Sequence, residues 1–298
     1  MQSERTGAVC ILGAGILWGT VGLFVKRLNA CGASPEMISF LREMFAAVIM
    51  TVIGLLRSGR KCFRVRRRTL AACALLGFVG QGIYNVFRSF AVIYAGVGVS
   101  TVLQNIAPAV TLLCSVRLFG ERITLQKSAA VVLCIVGCAL AATDGKLSSS
   151  LASPAGILFS LGAGLCFGLT PVFSRLADES DDPVSICIFS FWFAAVFLGI
   201  WLRPWNGLPT VNTGIIGWGF LYALIPTALA YVLYYHGVQL IHETGRIPVL
   251  GSTETVAAVL LGCIVFRETL GTGRFFGIVL VLCAIILMNT RIKRRIAA

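Results

Sequence analysis

The chain has 298 residues, 57% of them hydrophobic and only 12% charged, with a mean hydropathy of +0.90 and a formal net charge of +13. A soluble domain carries about 25% charged residues, so this composition excludes a water-soluble globule and indicates a polytopic membrane protein. The positive charge does not imply nucleic acid. Lys and Arg sit in short clusters between apolar runs, the pattern of the positive-inside rule and of attraction to anionic lipid.

Taken in order, the apolar runs predict ten helical spans, each long enough for a hydrocarbon core of about 30 Å. They lie at roughly 7–25, 35–56, 70–94, 97–118, 125–143, 154–174, 184–202, 213–237, 245–265 and 273–290. The first run is too long for the apolar region of a signal peptide, and Lys26-Arg27 interrupts it before Cys31, so it reads as a retained span. Turn residues such as Ala33-Ser34-Pro35 and Tyr94-Ala95-Gly96 join neighbouring spans. The polar stretch from Thr143 to Pro154 divides the chain. The expected organisation is a first five-helix repeat over 1–143, an extracytoplasmic linker over 144–153, and a second five-helix repeat over 154–298 that ends in a basic cytoplasmic tail.

The two halves echo each other. At a shift of 147, residues 84–121 fall on 231–268, with Tyr84 on Tyr231 and Glu121 on Glu268. At a shift of 149, Gly13, Gly15, Gly19, Phe24 and Lys26 fall on Gly162, Gly164, Gly168, Phe173 and Arg175. Five spans per half is an odd number, so the second half enters the membrane upside down, an inverted-topology repeat. With both termini in the cytoplasm, Arg5, the basic run of 57–68, Arg117, Arg122, Lys127, Arg175, Arg246 and the basic tail lie inside. Only Lys26, Arg27, Lys146, Arg203, Arg267 and Arg274 lie outside. The acidic Asp178–Asp182 stretch also falls inside and contributes little to the rule.

Two five-span halves, Leu17-Trp18-Gly19 in the first span, Arg42 in the second, Pro108 in the fourth and the hinge Gly120-Glu121-Arg122-Ile123-Thr124 together resemble the drug/metabolite transporter superfamily, EamA type. Ser252-Thr253-Glu254 and Arg267-Glu268-Thr269-Leu270 repeat the pattern in the second half. The chain departs from it where Thr255 replaces a common proline and Arg267 replaces the glycine before Glu268. The resemblance implies an all-α fold of ten transmembrane helices. It also implies a carrier of small solutes, often an exporter, with a central site formed by spans one to four and six to nine and with spans five and ten outside.

Ionisable groups inside a span need a reason, because a charge at the bilayer centre costs about 2.5–3.5 kcal/mol on insertion scales. Glu254 lies about 14 Å into the ninth span at 1.5 Å per residue, near the midplane, where inverted-repeat carriers bind solute. It is the candidate for binding and for coupling to a proton or cation; the alternative is a structural carboxylate held by Ser, Thr or Tyr of a neighbouring span. Arg42 could grip a substrate carboxylate, pair with Glu43 or anchor its helix. Arg88, nearer a span end, reads as an anchor. Gln81, Tyr84 and Asn85 share one face of the third span and, with Gln104, Asn105 and Trp18, could line a polar cavity. Tyr231, with Tyr234, Tyr235 and Thr170, is a further candidate, although tyrosines near span ends are often interfacial. Pro108, Pro171, Pro226 and Pro248 remove backbone hydrogen bonds within spans and are candidate hinges. Glycines of the first and sixth spans make small faces for close helix approach. Thr124 reads as an N-cap, and Glu121 and Glu268 as residues that orient loops.

No GxSxG, HExxH or Walker A motif occurs, which argues against an enzyme and against a self-contained pump. No charged ring or filter repeat suggests a channel. The cysteines, Cys134 and Cys138 included, read as small hydrophobes and not as a metal site. The expected function is secondary transport of a small, amino-acid-like or amphipathic solute, as an exporter working by alternating access. No cofactor or metal is expected, and the partners are the solute, protons and the lipid bilayer. The expected setting is the plasma or inner membrane, as a monomer or homodimer. An uncoupled facilitator and a membrane sensor or scaffold are the alternatives.

Overall fold

The computed structural model describes residues 2–145, 153–178, 180–204, 212–267 and 270–290. Glu268, most of the linker between the halves and the basic tail lie outside the described residues. Ten helical segments among those described are long and apolar enough to cross a membrane. In order they are Ser3–Ala30, Pro35–Phe63, Arg67–Ala95, Val99–Phe119, Leu125–Thr143, Pro154–Leu176, Pro183–Leu202, Thr213–Leu240, Thr244–Val265 and Thr272–Asn289. The chain is an all-α, multi-pass membrane protein built as two inverted five-helix repeats.

Short polar residues set where several spans begin. Ser34, Thr124, Ser153, Asp182 and Asn212 each accept a hydrogen bond from the first turn of the following helix. Pro35, Pro154 and Pro183 then occupy that first turn, where the missing N–H costs nothing.

The principal helix pairings run between the halves. The first span lies in the hairpin of spans eight and nine, and the sixth lies in the hairpin of spans three and four. Glycines permit this. A Cβ on Gly15 would stand 2.9 Å from Gly251 O, and one on Gly168 would stand 2.7 Å from Ala107 O. The second span packs on the seventh, where Trp192 Nε1 donates to Thr51 Oγ1 at 3.0 Å. The fifth and tenth pack on each other, with Gly277 against Ala141.

The first span breaks at Thr20, between the helices Gln2–Gly19 and Val21–Ala30, and four further spans are irregular in matching pairs. The third widens into a π-helical turn over Leu76–Ile83 and the eighth over Leu224–Leu229, the same place in each repeat. In the eighth, Thr227 Oγ1 donates to Tyr222 O at 3.0 Å. The fourth span breaks at Asn105–Ile106 and restarts as Ala107–Phe119; the ninth breaks at Ser252 and restarts as Thr253–Phe266. The break in the ninth therefore forms with Thr255 in place of proline. Ser252 Oγ and Thr253 Oγ1 donate back to Val249 O and Leu250 O at 2.5 and 2.6 Å, competing with the helical bonds at that point.

The bundle face where the first span begins and the tenth ends is tied by polar contacts. Glu121 Oε1 accepts from Thr244 N at 2.5 Å and Oε2 from Gly245 N at 3.4 Å, so Glu121 orients the turn that opens the ninth span. Lys127 Nζ bridges Glu121 and Glu243 at 3.6 and 3.3 Å. Between the third and sixth spans, Arg66 Nη1 pairs with Asp178, Asp178 N donates to Thr69 Oγ1 at 3.0 Å, and Arg68 Nε donates to Leu176 O at 2.9 Å. The hydroxyl and N–H of Ser180, and then Arg66, hold the Asp178 carboxyl down at about 2.

Two predictions follow from these elements. The half-helices of the fourth and ninth spans end in left-handed residues at matching positions, Gly120 at φ 66° and Arg267 at φ 53°. Left-handed backbone costs a non-glycine residue roughly 1–2 kcal/mol. Arg267→Gly should therefore raise stability, and Gly120→Ala lower it, each by about 1 kcal/mol in thermal unfolding. The depressed Asp178 carboxyl stabilises the fold above the ordinary carboxylate range, and this contribution is lost as the pH falls through about 2. Wild type should be the more stable above that window and should converge on Asp178→Asn below it, read from unfolding across a pH series.

Candidate functional site

The breaks in the fourth and ninth spans flank a cavity of about 170 Å³, measured as room for the centres of water molecules. One water needs about 10–15 Å³ on that measure, so the space suits a small metabolite. Its wall is built from both repeats. Trp18, Tyr84, Gln104, Asn105, Tyr231 and Glu254 all line it.

Aromatic pairs make two sides of the wall, and each joins one half to the other. Trp18 meets Tyr231 edge-on at 5.3 Å, and Tyr84 stacks on Phe167 at 5.5 Å. The shifts that relate the repeats carry Tyr84 to Tyr231 and Trp18 to Phe167, so the two pairs are counterparts. Gln104 Nε2 donates to the Tyr84 hydroxyl at 2.9 Å, fixing that ring's polar tip. Tyr234 also lines the cavity, beside Trp18 at 5.2 Å. Tyr231, Tyr234 and Tyr235 are all buried, which corrects the interfacial reading of these tyrosines.

Glu254 stands in the first turn of the half-helix Thr253–Phe266, whose N-terminal dipole favours a negative charge there. The carboxylate makes no hydrogen bond or ion pair with any described residue. The charges that act on it are those of Arg88 and Arg42. Arg88 also lines the cavity and is exposed, and its guanidinium too makes no hydrogen bond or ion pair with a described residue. Its place in the cavity wall adds a second reading to that of an anchor near the span end.

Three candidates do not reach the cavity wall. Arg42 is buried and spent on its neighbour: Nε and Nη2 donate to Glu43 Oε1 at 2.9 and 2.5 Å. Adjacent helical residues point about 100° apart, at 3.6 residues per turn, so the pair closes because the long arginine chain turns back. The guanidinium lies 5.9 Å from the Tyr222 ring. Gln81 is fully buried, with Nε2 directed at the Tyr235 hydroxyl at 3.4 Å, and Asn85 Nδ2 donates to Gln81 O at 2.7 Å. The shared face read from α-helical spacing fails because Gln81 belongs to the π-helical turn. A wider turn displaces it from the face that Tyr84 presents.

The prolines divide. Pro108, Pro171 and Pro248 line the cavity, and Pro226 does not. Pro108 and Pro248 occupy first turns, so they free no carbonyl within a helix. Pro171 is inside its helix and leaves Phe167 O without the usual partner, whereas Pro226 is part of the second π-helical turn. The fifth span also joins the wall through Cys134 and Cys138, where Thr255 Oγ1 donates to Cys138 Sγ at 3.4 Å. The fifth span is therefore not wholly outside the cavity. Among the described residues, no group of three or more His, Cys, Asp or Glu side chains is placed to hold a metal ion.

Comparison with known proteins adds the following. The family model described as the EamA-like transporter family matches residues 5–143 and 154–290. An uncharacterized transporter of Archaeoglobus fulgidus is 25% identical over 95% of this chain and 96% of its own length. The uncharacterized inner membrane transporter YicL of Salmonella typhimurium is 24% identical, with both chains fully covered. A protein of Streptantibioticus cattleyicolor named as a probable terminal-alkyne amino-acid exporter is 24% identical over 66% of this chain and 63% of its own. One solved crystal structure shares the fold at a TM-score of 0.79, with 17% identity and 96% of each chain covered.

The pairing of Arg42 generates a stability prediction. Glu43→Ala should cost about 3–5 kcal/mol, because it leaves a buried guanidinium uncompensated. The double variant Arg42→Met, Glu43→Leu should recover most of that loss. Thermal unfolding of the three proteins checks it. Equal losses in the single and double variants would show that the pair does not carry the stability.

Proposed function

Because the chain belongs to the EamA-like transporter family over both halves, we propose that it is a secondary carrier that exports a small, amino-acid-like metabolite by alternating access. The observation that carries this reading is Glu254: an ionisable group in the wall of a cavity between the repeats, in the first turn of a broken span, with no hydrogen-bond partner among the described residues.

An ionised Glu254 can hold a proton or a solute ammonium group, but not both. Mutually exclusive occupancy is the simplest form of exchange: solute leaves as protons enter. The aromatic pairs around Trp18 and Tyr84 would hold the apolar part of the solute. The amino-acid exporter among the relatives supports this solute class. With the termini in the cytoplasm, as the Lys and Arg distribution favours, the contacts of Glu121, Lys127, Arg66 and Asp178 would form the cytoplasmic gate. The protein would sit in the plasma or inner membrane. Rocking of the halves would use the broken spans, with Pro108, Pro171, Pro226 and Pro248 as the hinge candidates.

Reconstitution in vesicles tests the coupling. A pH gradient alone should drive accumulation of a transported amino acid, by up to about tenfold per pH unit if one proton exchanges for one solute. Glu254→Asp should keep this accumulation, and Glu254→Gln should lose it while still folding. Persistence in Glu254→Gln removes the coupling role. Counterflow without any response to pH in the wild type makes the protein an uncoupled facilitator.

A further inference from the structure

We propose that Arg88 is the carboxylate anchor of the cavity, the residue that admits a zwitterion and turns away a simple cationic amine. This rests on the reading of Glu254 as the ammonium site, and deepens it.

The cavity wall carries two charges of opposite sign, Arg88 from the third span and Glu254 from the ninth. Each acts on the other electrostatically, yet no ion pair closes between them among the described residues. The other membrane-embedded pair behaves differently. Arg42 places two donors on Glu43 Oε1 and is buried, so its charge is already satisfied. Arg88 keeps its planar fork of donors available, and that fork matches the two oxygens of a carboxylate. The titratable groups that act on it electrostatically include Tyr84 of its own span, Tyr222 of the eighth, Glu254 of the ninth and Arg42 of the second. Glu254 is the one carboxylate in this set.

Charge complementarity then selects the solute. A solute with a carboxylate and an ammonium group satisfies both walls and leaves the cavity neutral. A cationic amine of the same size satisfies Glu254 but faces an uncompensated Arg88, a repulsive element that discriminates without any added contact. An acid without the amine has the opposite defect at Glu254. The repeats support a dedicated role. At the shift of 147 that superposes Tyr84 on Tyr231, Arg88 falls on Tyr235 and Glu254 falls on Ala107. Neither charge is part of the duplicated scaffold.

The test measures binding to purified protein in detergent for a panel of apolar α-amino acids at millimolar concentration. Each is measured beside the amine that lacks its carboxylate and the acid that lacks its amine. Wild type should bind the amino acid more tightly than either analogue. Arg88→Gln should weaken amino-acid binding by about 10- to 100-fold, the usual worth of a hydrogen-bonded charged group, and should hold or improve binding of the amine. Arg88→Lys keeps the charge but not the fork, so it should restore part of the preference for the amino acid. Wild-type affinities that are equal for amino acid and amine would overturn the assignment. So would an Arg88→Gln loss that is the same for both. Either outcome would leave the proton-coupled reading of Glu254 to the vesicle assay, so the two failures remain distinguishable. If no amino acid binds to the wild type, the anchor and the solute class fall together.

Discussion

A chain that crosses hydrocarbon has to satisfy its own backbone hydrogen bonds, and a helix that stops halfway is tolerated only where protein covers the break. The fourth and ninth spans both stop halfway, at Asn105–Ile106 and at Ser252. What covers each break is a run of small residues from the opposite half. Gly15 lies against Gly251 O and Gly19 against Ala257; Gly164 lies against Gln104 O and Gly168 against Ala107 O. Thr111 Oγ1 adds a direct bond to Gly168 O at 2.6 Å. Larger side chains on the first and sixth spans would hold the helices apart and leave the broken backbone facing lipid. The cavity is what remains where two such covered breaks face each other.

This arrangement ties the two repeats together more firmly than either is tied to itself. The first span sits in the hairpin of the other half, as does the sixth, and both aromatic pairs of the wall cross between halves. A movement of one half against the other therefore has to pass through the glycine contacts and the aromatic pairs, which lie at the cavity itself. Solute bound between those rings would contact both moving parts at once. That is the geometry by which occupancy can bias an equilibrium between two arrangements, since a ligand shifts a population only through differential contact with the two states.

The fold was legible because the signals behind it are long and redundant. Ten apolar runs, two echoes at nearly one shift and the turn residues between runs all point to the same architecture, and the spans lie within a few residues of those expected. The cavity was legible in part. Trp18, Tyr84, Gln104, Asn105, Tyr231 and Glu254 meet in it because they flank the two breaks. Gln81 was misplaced because spacing arguments assume 3.6 residues per turn, and the π-helical turn over Leu76–Ile83 breaks that assumption. Asn85 lies beyond that turn, next to Tyr84 in the regular helix, and its amide turns back to Gln81 O. Glycines at 77, 80 and 82 permit close packing there, with Gly77 against Ser190 O, but they do not announce a π turn in the sequence. Cys134 and Cys138 looked like packing residues, and depth along a span cannot say which face of the fifth helix meets the cavity.

The two arginines show where single-residue reasoning stops and local context begins. Depth left Arg42 open between a solute carboxylate, Glu43 and an anchoring role, and favoured Arg88 as an anchor. Both would pay a comparable insertion penalty, so the penalty cannot rank them. What separates them is the supply of counter-charge. Arg42 is followed directly by Glu43, and a partner bound into the same helix turn neutralises it before any other element packs. The span that carries Arg88, Arg67–Ala95, contains no Asp or Glu at all, so any compensation has to come from another part of the fold or from a bound solute. The acidic group that acts on it is Glu254, carried by the other repeat across the cavity. A charge whose opposite, among the described residues that act on it, lies across a space large enough for a metabolite is held in a different condition from one that is paired at birth. Glu43 and Arg42 compensate each other inside the bundle, whereas under the proposal above Arg88 and Glu254 keep their charge for what enters.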